Sequence, residues 1–124
     1  MPLAKPKRLK QDGSSPAHHR SRRQEGEVAK RIGGRKTPAS GALSEKGDVR
    51  LKGVVRIECK TTSHKSFSVT QEMLEKIEYA ALSAGELPAL VIEFLNAKGN
   101  PTSAVAVVPL WVLDTIANLT KDRT

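Results

Sequence analysis

A single cysteine, four aromatic residues and no apolar run long enough to span a bilayer characterise this 124-residue chain. Cys59 alone cannot build a disulfide framework or a cysteine zinc cage, so a reducing, cytoplasmic setting is expected. Phe67, Phe94, Tyr79 and Trp111 are too few for a base-stacking surface, so a nucleic-acid partner would be gripped by its backbone. The N-terminus lacks the apolar core of a signal peptide, and no membrane association is expected. His18, His19 and His64 lie in polar segments and form no metal-ligand spacing. Gly33-Gly34 lacks the spacing of a phosphate-binding loop, and no internal repeat is visible.

Positive charge is plentiful. Basic residues outnumber acidic ones, 21 to 13, for a formal charge of +8. Such an excess selects polyanionic partners, nucleic acid before an anionic membrane surface. Met1 to Gln24 hold seven basic residues (Lys5, Lys7, Arg8, Lys10, Arg20, Arg22, Arg23) against Asp12 alone, which is +6 of the +8. Pro2, Pro6, Pro16 and the "DGSSP" break leave little there to form a core. Residues 1–20 are therefore expected to be a disordered basic arm that contacts phosphates, and 21–124 a single small domain.

The elements follow from periodicity. Arg20 to Ile32 predicts a helix with Val28, Ala29 and Ile32 on one side, stopped by Gly33-Gly34. "RKTPASGAL" reads as a short strand or extended segment, and "GDVRLKGVVRIECKT" as two strands turning near Lys52-Gly53. "VTQEMLEKIEYAALSA", residues 69–84, predicts the clearest helix, with Thr70 as N-cap and Met73, Leu74, Ile77, Ala81 and Leu82 at helical spacing. Beyond Gly85, "LPALVIEFL" reads as a central strand covered on both faces. "TSAVAVVPL" reads as a second apolar strand, and "PLWVLDTIANL" as a helix opened by Pro109. The order α-β-β-β-α-β-β-α describes an α/β domain, a mixed central sheet flanked by helices.

In "RIECK", strand alternation points Ile57 and Cys59 to one face, where they read as core, and Arg56, Glu58 and Lys60 to the other. The second set is either a solvated rim or the floor of a site that handles something charged. Asp48 opens the preceding strand, and the short turn lets Asp48 and Glu58 converge at one end of the sheet. Two carboxylates so close repel unless a cation sits between them. Magnesium suits them, because it takes one or two carboxylates and keeps several waters. Lys60 beside them would hold an attacking water or stabilise charge building on a phosphate. Glu25 stands three, four and seven residues before Val28, Ala29 and Ile32 and shares their inward face. Glu27 is turned about 200° away and is expected in solvent, although it stays the alternative acid.

With these residues assembled, the chain resembles the PD-(D/E)XK nuclease superfamily and, within it, the archaeal-type Holliday-junction resolvases. The resemblance rests on an ordered set: "EGEVAKRIGG", "PASGALSEKGDV", "RIECK", a polar loop, a helix and "LPALVIEFL", together about residues 22–95. It implies a restriction-endonuclease-like core and a magnesium-dependent endodeoxyribonuclease in which manganese can substitute. Asp48 and Glu58 would be metal ligands, with the Cys59 carbonyl as a further one. Lys60 would be the catalytic lysine and Glu25 the helix acid. Ser40 resembles a small polar residue near the scissile phosphate, and Gln71 a glutamine that orients the attacking water. Gly47 stands where the superfamily's motif has proline. Arg20, Arg22, Arg23, Arg35 and Lys36 are the expected DNA contacts. The expected substrate is branched DNA, a four-way junction, and symmetric cutting of it implies a homodimer. A repair or nicking endonuclease of the same fold is one alternative; a non-catalytic basic nucleic-acid-binding protein is the other.

Overall fold

The computed structural model describes residues 16–37 and 49–121. The elements are α1 (Pro16–Ile32), β1 (Arg35–Lys36), β2 (Val49–Leu51), β3 (Val55–Thr62), α2 (Gln71–Ser83), β4 (Leu87–Leu95), β5 (Pro101–Val107) and α3 (Leu110–Lys121). The five strands form one sheet in the order β1-β2-β3-β4-β5. Among the described strands only β3 and β4 run parallel. Parallel neighbours cannot be joined by a tight turn, and α2 makes the crossover between them. The chain is thus α/β, with a mixed sheet flanked by three helices in the predicted order.

The first helix begins at Pro16, four residues before the expected start, and residues 1–15 of the expected arm lie outside the described residues. Proline suits the first turn, where its missing N–H has no partner to lose. The sequence carries no apolar period before Val28, and the buried position that precedes it is polar: Gln24 is 1% exposed. The helix ends as expected: Gly33 adopts φ +73°, and the Gly34 N–H donates to the Ala29 carbonyl at 2.9 Å. The second helix opens on Thr70, whose Oγ1 accepts the Met73 N–H at 3.1 Å. It closes in the same way as α1, with Gly85 at φ +73° and the Glu86 N–H donating to the Ala81 carbonyl at 2.8 Å.

Two apolar clusters sandwich the sheet. Ala29 of α1 meets Val49, Ile57, Cys59 and Ala89 on one face, with Val28 and Ile32 packed against them. Ile77 of α2 meets Leu90 and Ile92 on the other, joined by Phe67, Met73, Leu74 and Phe94. Strand β4 feeds both clusters, the position that its nearly continuous apolar run implied. Burying a side chain such as Ile77 or Leu90 is worth roughly 1.5–3 kcal/mol. Strand β5, equally apolar in sequence, lies at the sheet edge and is exposed along all but its last residue. Among the described residues no helix is long and apolar enough to cross a membrane.

Candidate functional site

Strand β3 carries the charged pair. Ile57 and Cys59 face α1, so alternation turns Arg56, Glu58 and Lys60 toward the α2 side. That face is not a solvated rim at its centre: Glu58 is only 7% exposed. Its Oε2 lies 2.9 Å from Lys60 Nζ, and the lysine side chain keeps 21% of its surface in solvent. A carboxylate this deep requires a counter-charge, and Lys60 provides it. The backbone beneath is also held. Gln24 of α1 donates its amide to the Lys60 carbonyl at 2.9 Å and to the Val91 carbonyl at 3.3 Å. The pair therefore sits on a strand clamped between β4 and a buried helix residue.

The other expected residues distribute unevenly. Asp48 and Ser40 lie outside the described residues. Val49, the residue after Asp48, pairs with Ile57, the residue before Glu58. Glu25 is buried at 8% exposure and Glu27 is exposed, in line with their positions on the helix wheel. However, α1 packs on the Ile57 and Cys59 face, opposite to the one that carries Glu58 and Lys60. Gln71 is the first residue of α2 and is exposed. It follows the loop that leaves β3 two residues beyond Lys60, so the helix start and the pair belong to the same end of β3. The structure thus joins Glu58 with Lys60, brings Gln71 to their end of the strand, and sets Glu25 on the other side of the sheet.

The expected DNA contacts also differ from one another. Arg35 and Lys36 are exposed on the edge strand β1, and Arg22 is exposed on α1. Arg23 instead forms ion pairs with Glu27 at 3.4 Å and with the nearly buried Glu93. Arg20 is half-buried, and its Nε has no hydrogen-bond partner among the described residues.

Three polar residues escaped the sequence reading: Gln24, Glu86 and Glu93, all buried. Glu86 accepts from Arg50 Nε at 3.0 Å, from Arg50 Nη2, and from the Gly53 N–H at 2.9 Å. Burial alone would raise its carboxyl pKa, but the Arg50 hydrogen bond, the Gly53 N–H and the nearby charges of Arg50 and Arg56 outweigh it and hold it below the usual range. This carboxylate ties the β2–β3 turn to the start of β4. Only a buried environment distinguishes such residues from surface acids, and no local pattern announces it.

An apolar groove of about 960 Å³ runs between α1 and strands β4 and β5, floored by Val91, Ala104 and Ala106. It lies on the α1 face and includes neither Glu58 nor Lys60. Chemically, the pair offers one carboxylate for a cation and one ammonium for an anion. Carboxylate and backbone carbonyl oxygens, as at Glu58 and Cys59, are the ligands that magnesium takes. Among the described residues no three metal-ligating side chains cluster, and Asp48 stands outside them. Comparison with protein-family models, with curated proteins and with solved structures finds no match to this chain.

Proposed function

We propose that this chain is a magnesium-dependent endodeoxyribonuclease of the PD-(D/E)XK type, acting on branched DNA such as a four-way junction. One observation carries the reading: a buried Glu58 held at 2.9 Å by a partly exposed Lys60, on a central strand of a mixed α/β sheet. A solvated strand face would leave both charges in water, whereas a nuclease needs an acid and a base fixed side by side. The restriction-endonuclease-like core is supported by the α-β-β-β-α-β order of its first six elements.

In this reading Asp48 and Glu58 would hold the cation, with the Cys59 carbonyl as a further ligand. Bound there, magnesium would polarise the phosphate and stabilise the leaving oxygen. Lys60 holds the attacking water and takes part of the charge that builds on the phosphate. Gln71, at the start of α2, is suited to orient that water, and Gln24 fixes the strand beneath it. Ser40 belongs to the site expected from the resemblance, whereas Glu25, on the α1 face of the sheet, is left out of this reading. Arg22, Arg35 and Lys36 grip the backbone, since shape and charge distinguish a junction better than base edges do. Paired nicks need two active sites, so the working form is a homodimer. The exposed apolar residues Leu110, Leu113, Ile116 and Leu119 of α3 offer a surface for it.

The test is a synthetic four-way junction beside a linear duplex of matched sequence, each with and without magnesium. Paired nicks in the junction alone support the reading. Equal cutting of both substrates removes the junction preference and keeps the nuclease. No cutting of either, with binding intact, leaves a basic nucleic-acid-binding protein.

A further inference from the structure

Helix α1 packs on β1, β2 and β3. On the same face, the far edge of the sheet is bare. Val91 of β4 pairs with Ala106 of β5, and Glu93 with Ala104, so the two alanines project on the α1 side. Both are exposed, and with Val91 they floor the groove of about 960 Å³ that opens beside α1. Side chains this small let another element come close to the backbone. Edge strands usually carry charge, or cover, against pairing with a second chain. Strand β5 has Pro101 at its first residue, but from Thr102 to Leu113 the sequence holds no charged side chain.

A surface of matching chemistry lies elsewhere on the same chain. Helix α3 is held to the fold by the buried Val112 and by Trp111, whose Nε1–H donates to Glu78 of α2 at 2.8 Å. It therefore sits on the α2 side of the sheet, opposite to the groove. Leu110, Leu113 and Ile116 follow at three-residue steps and form an exposed stripe. The helix has 12 residues and is about 18 Å long. Strand β5 has 7 residues and spans about 23 Å, so the helix fits along it. Asp114 is exposed beside the stripe, and Lys30 and Arg31 line the groove with the opposite charge.

We propose that the groove between α1 and β5 is the seat for α3 of a second copy of this chain, in a reciprocal two-fold dimer. A chain cannot fill its own groove, because α3 and the groove lie on opposite faces of the sheet. A copy turned over about an axis along the β5 edge presents its α3 to the groove, and its own groove receives the first chain's helix. Each protomer thus gives a helix and takes one, as a two-fold interface requires. The seat rests on the homodimer reading above and adds the receiving surface; it does not need the nuclease chemistry.

The test is the mass of the full chain by light scattering, for the native protein and for Leu113→Glu, Ala104→Glu and Ala106→Glu. The three positions are exposed, and circular dichroism checks that each variant is folded. The native chain is expected at twice the chain mass. Each variant is expected at the chain mass, because an ionised carboxylate would enter an apolar contact. Mixing Leu113→Glu with Ala104→Glu should bring dimers back, since the pair keeps one seat in which both surfaces are native. A mixture that stays monomeric would overturn the reciprocal seat. Monomers from Leu113→Glu beside dimers from both alanine variants would also overturn it, and would leave a homodimer formed through α3 alone. A monomeric native chain would remove the seat and the homodimer together. Cleavage is not read, so a dimer that behaves in this way and never cuts would remove the nuclease reading and keep the seat.

Discussion

Glu58 and Lys60 are two residues apart, and each answers a need of the other. A carboxylate 7% exposed would be costly without a cation, and the lysine supplies one at 2.9 Å. Removing one partner of such a pair leaves an uncompensated buried charge, whereas replacing both does not. Lys60→Met is therefore expected to lose on the order of 3 kcal/mol of stability, and Glu58→Gln combined with Lys60→Met to recover most of it. Urea denaturation of the two single variants and the double variant checks this, and simple additivity would contradict the pairing. Glu86 makes a different prediction. Its carboxyl is held below the ordinary value of 4.5, so the folded state binds its proton less readily than the unfolded state. The stability it contributes is fully present above that ordinary value and is lost as pH falls through the lower, folded value. Acid unfolding monitored by circular dichroism should show this component in the native chain, and Glu86→Gln should remove it.

At the scale of elements, the sequence was most legible where local chemistry decides the outcome. The cap at Thr70 and the stop at Gly85 bound α2 in sequence and in structure. The apolar run 87–95 announced a central strand, and β4 is one. Legibility failed where partners come from afar. The first turns of α1 bury Gln24 and carry no apolar stripe, so the helix looked four residues shorter than it is. Exposed β5 and buried β4 have similar compositions, and only the sheet order separates them. Arg35, Arg50 and Arg56 likewise become neighbours only through two strand registers, which no local pattern announces. In the candidate site the E-x-K pair could be read from alternation, whereas the Gln24 clamp under Lys60 could not. The turn between α1 and β1 gives a further prediction. A Cβ on Gly34 would press well inside contact distance of the Arg50 carbonyl oxygen and carbon, both backbone atoms that cannot move aside cheaply. Gly34→Ala should cost about 1–3 kcal/mol, read as a lowered melting temperature.

The whole molecule combines a large positive charge with an apolar surface at one helix. The formal charge of +8 keeps copies apart unless they meet through a neutral patch. Leu110, Leu113, Ile116 and Leu119 provide one on α3, each roughly half or more exposed. If the homodimer forms there, Leu113→Glu combined with Ile116→Glu should yield monomers by light scattering while the melting temperature changes little. The same molecule must then place two Glu58–Lys60 pairs on one DNA junction. The most direct test of this account is magnesium-dependent nicking of a four-way junction by the native chain and by Lys60→Met, with junction binding in EDTA confirming that the variant is folded. Paired nicks by the native chain and a loss of about 10²-fold or more in the variant are the expected result. A native chain that binds the junction without cutting it, or a Lys60→Met variant that cuts at the native rate, would contradict it.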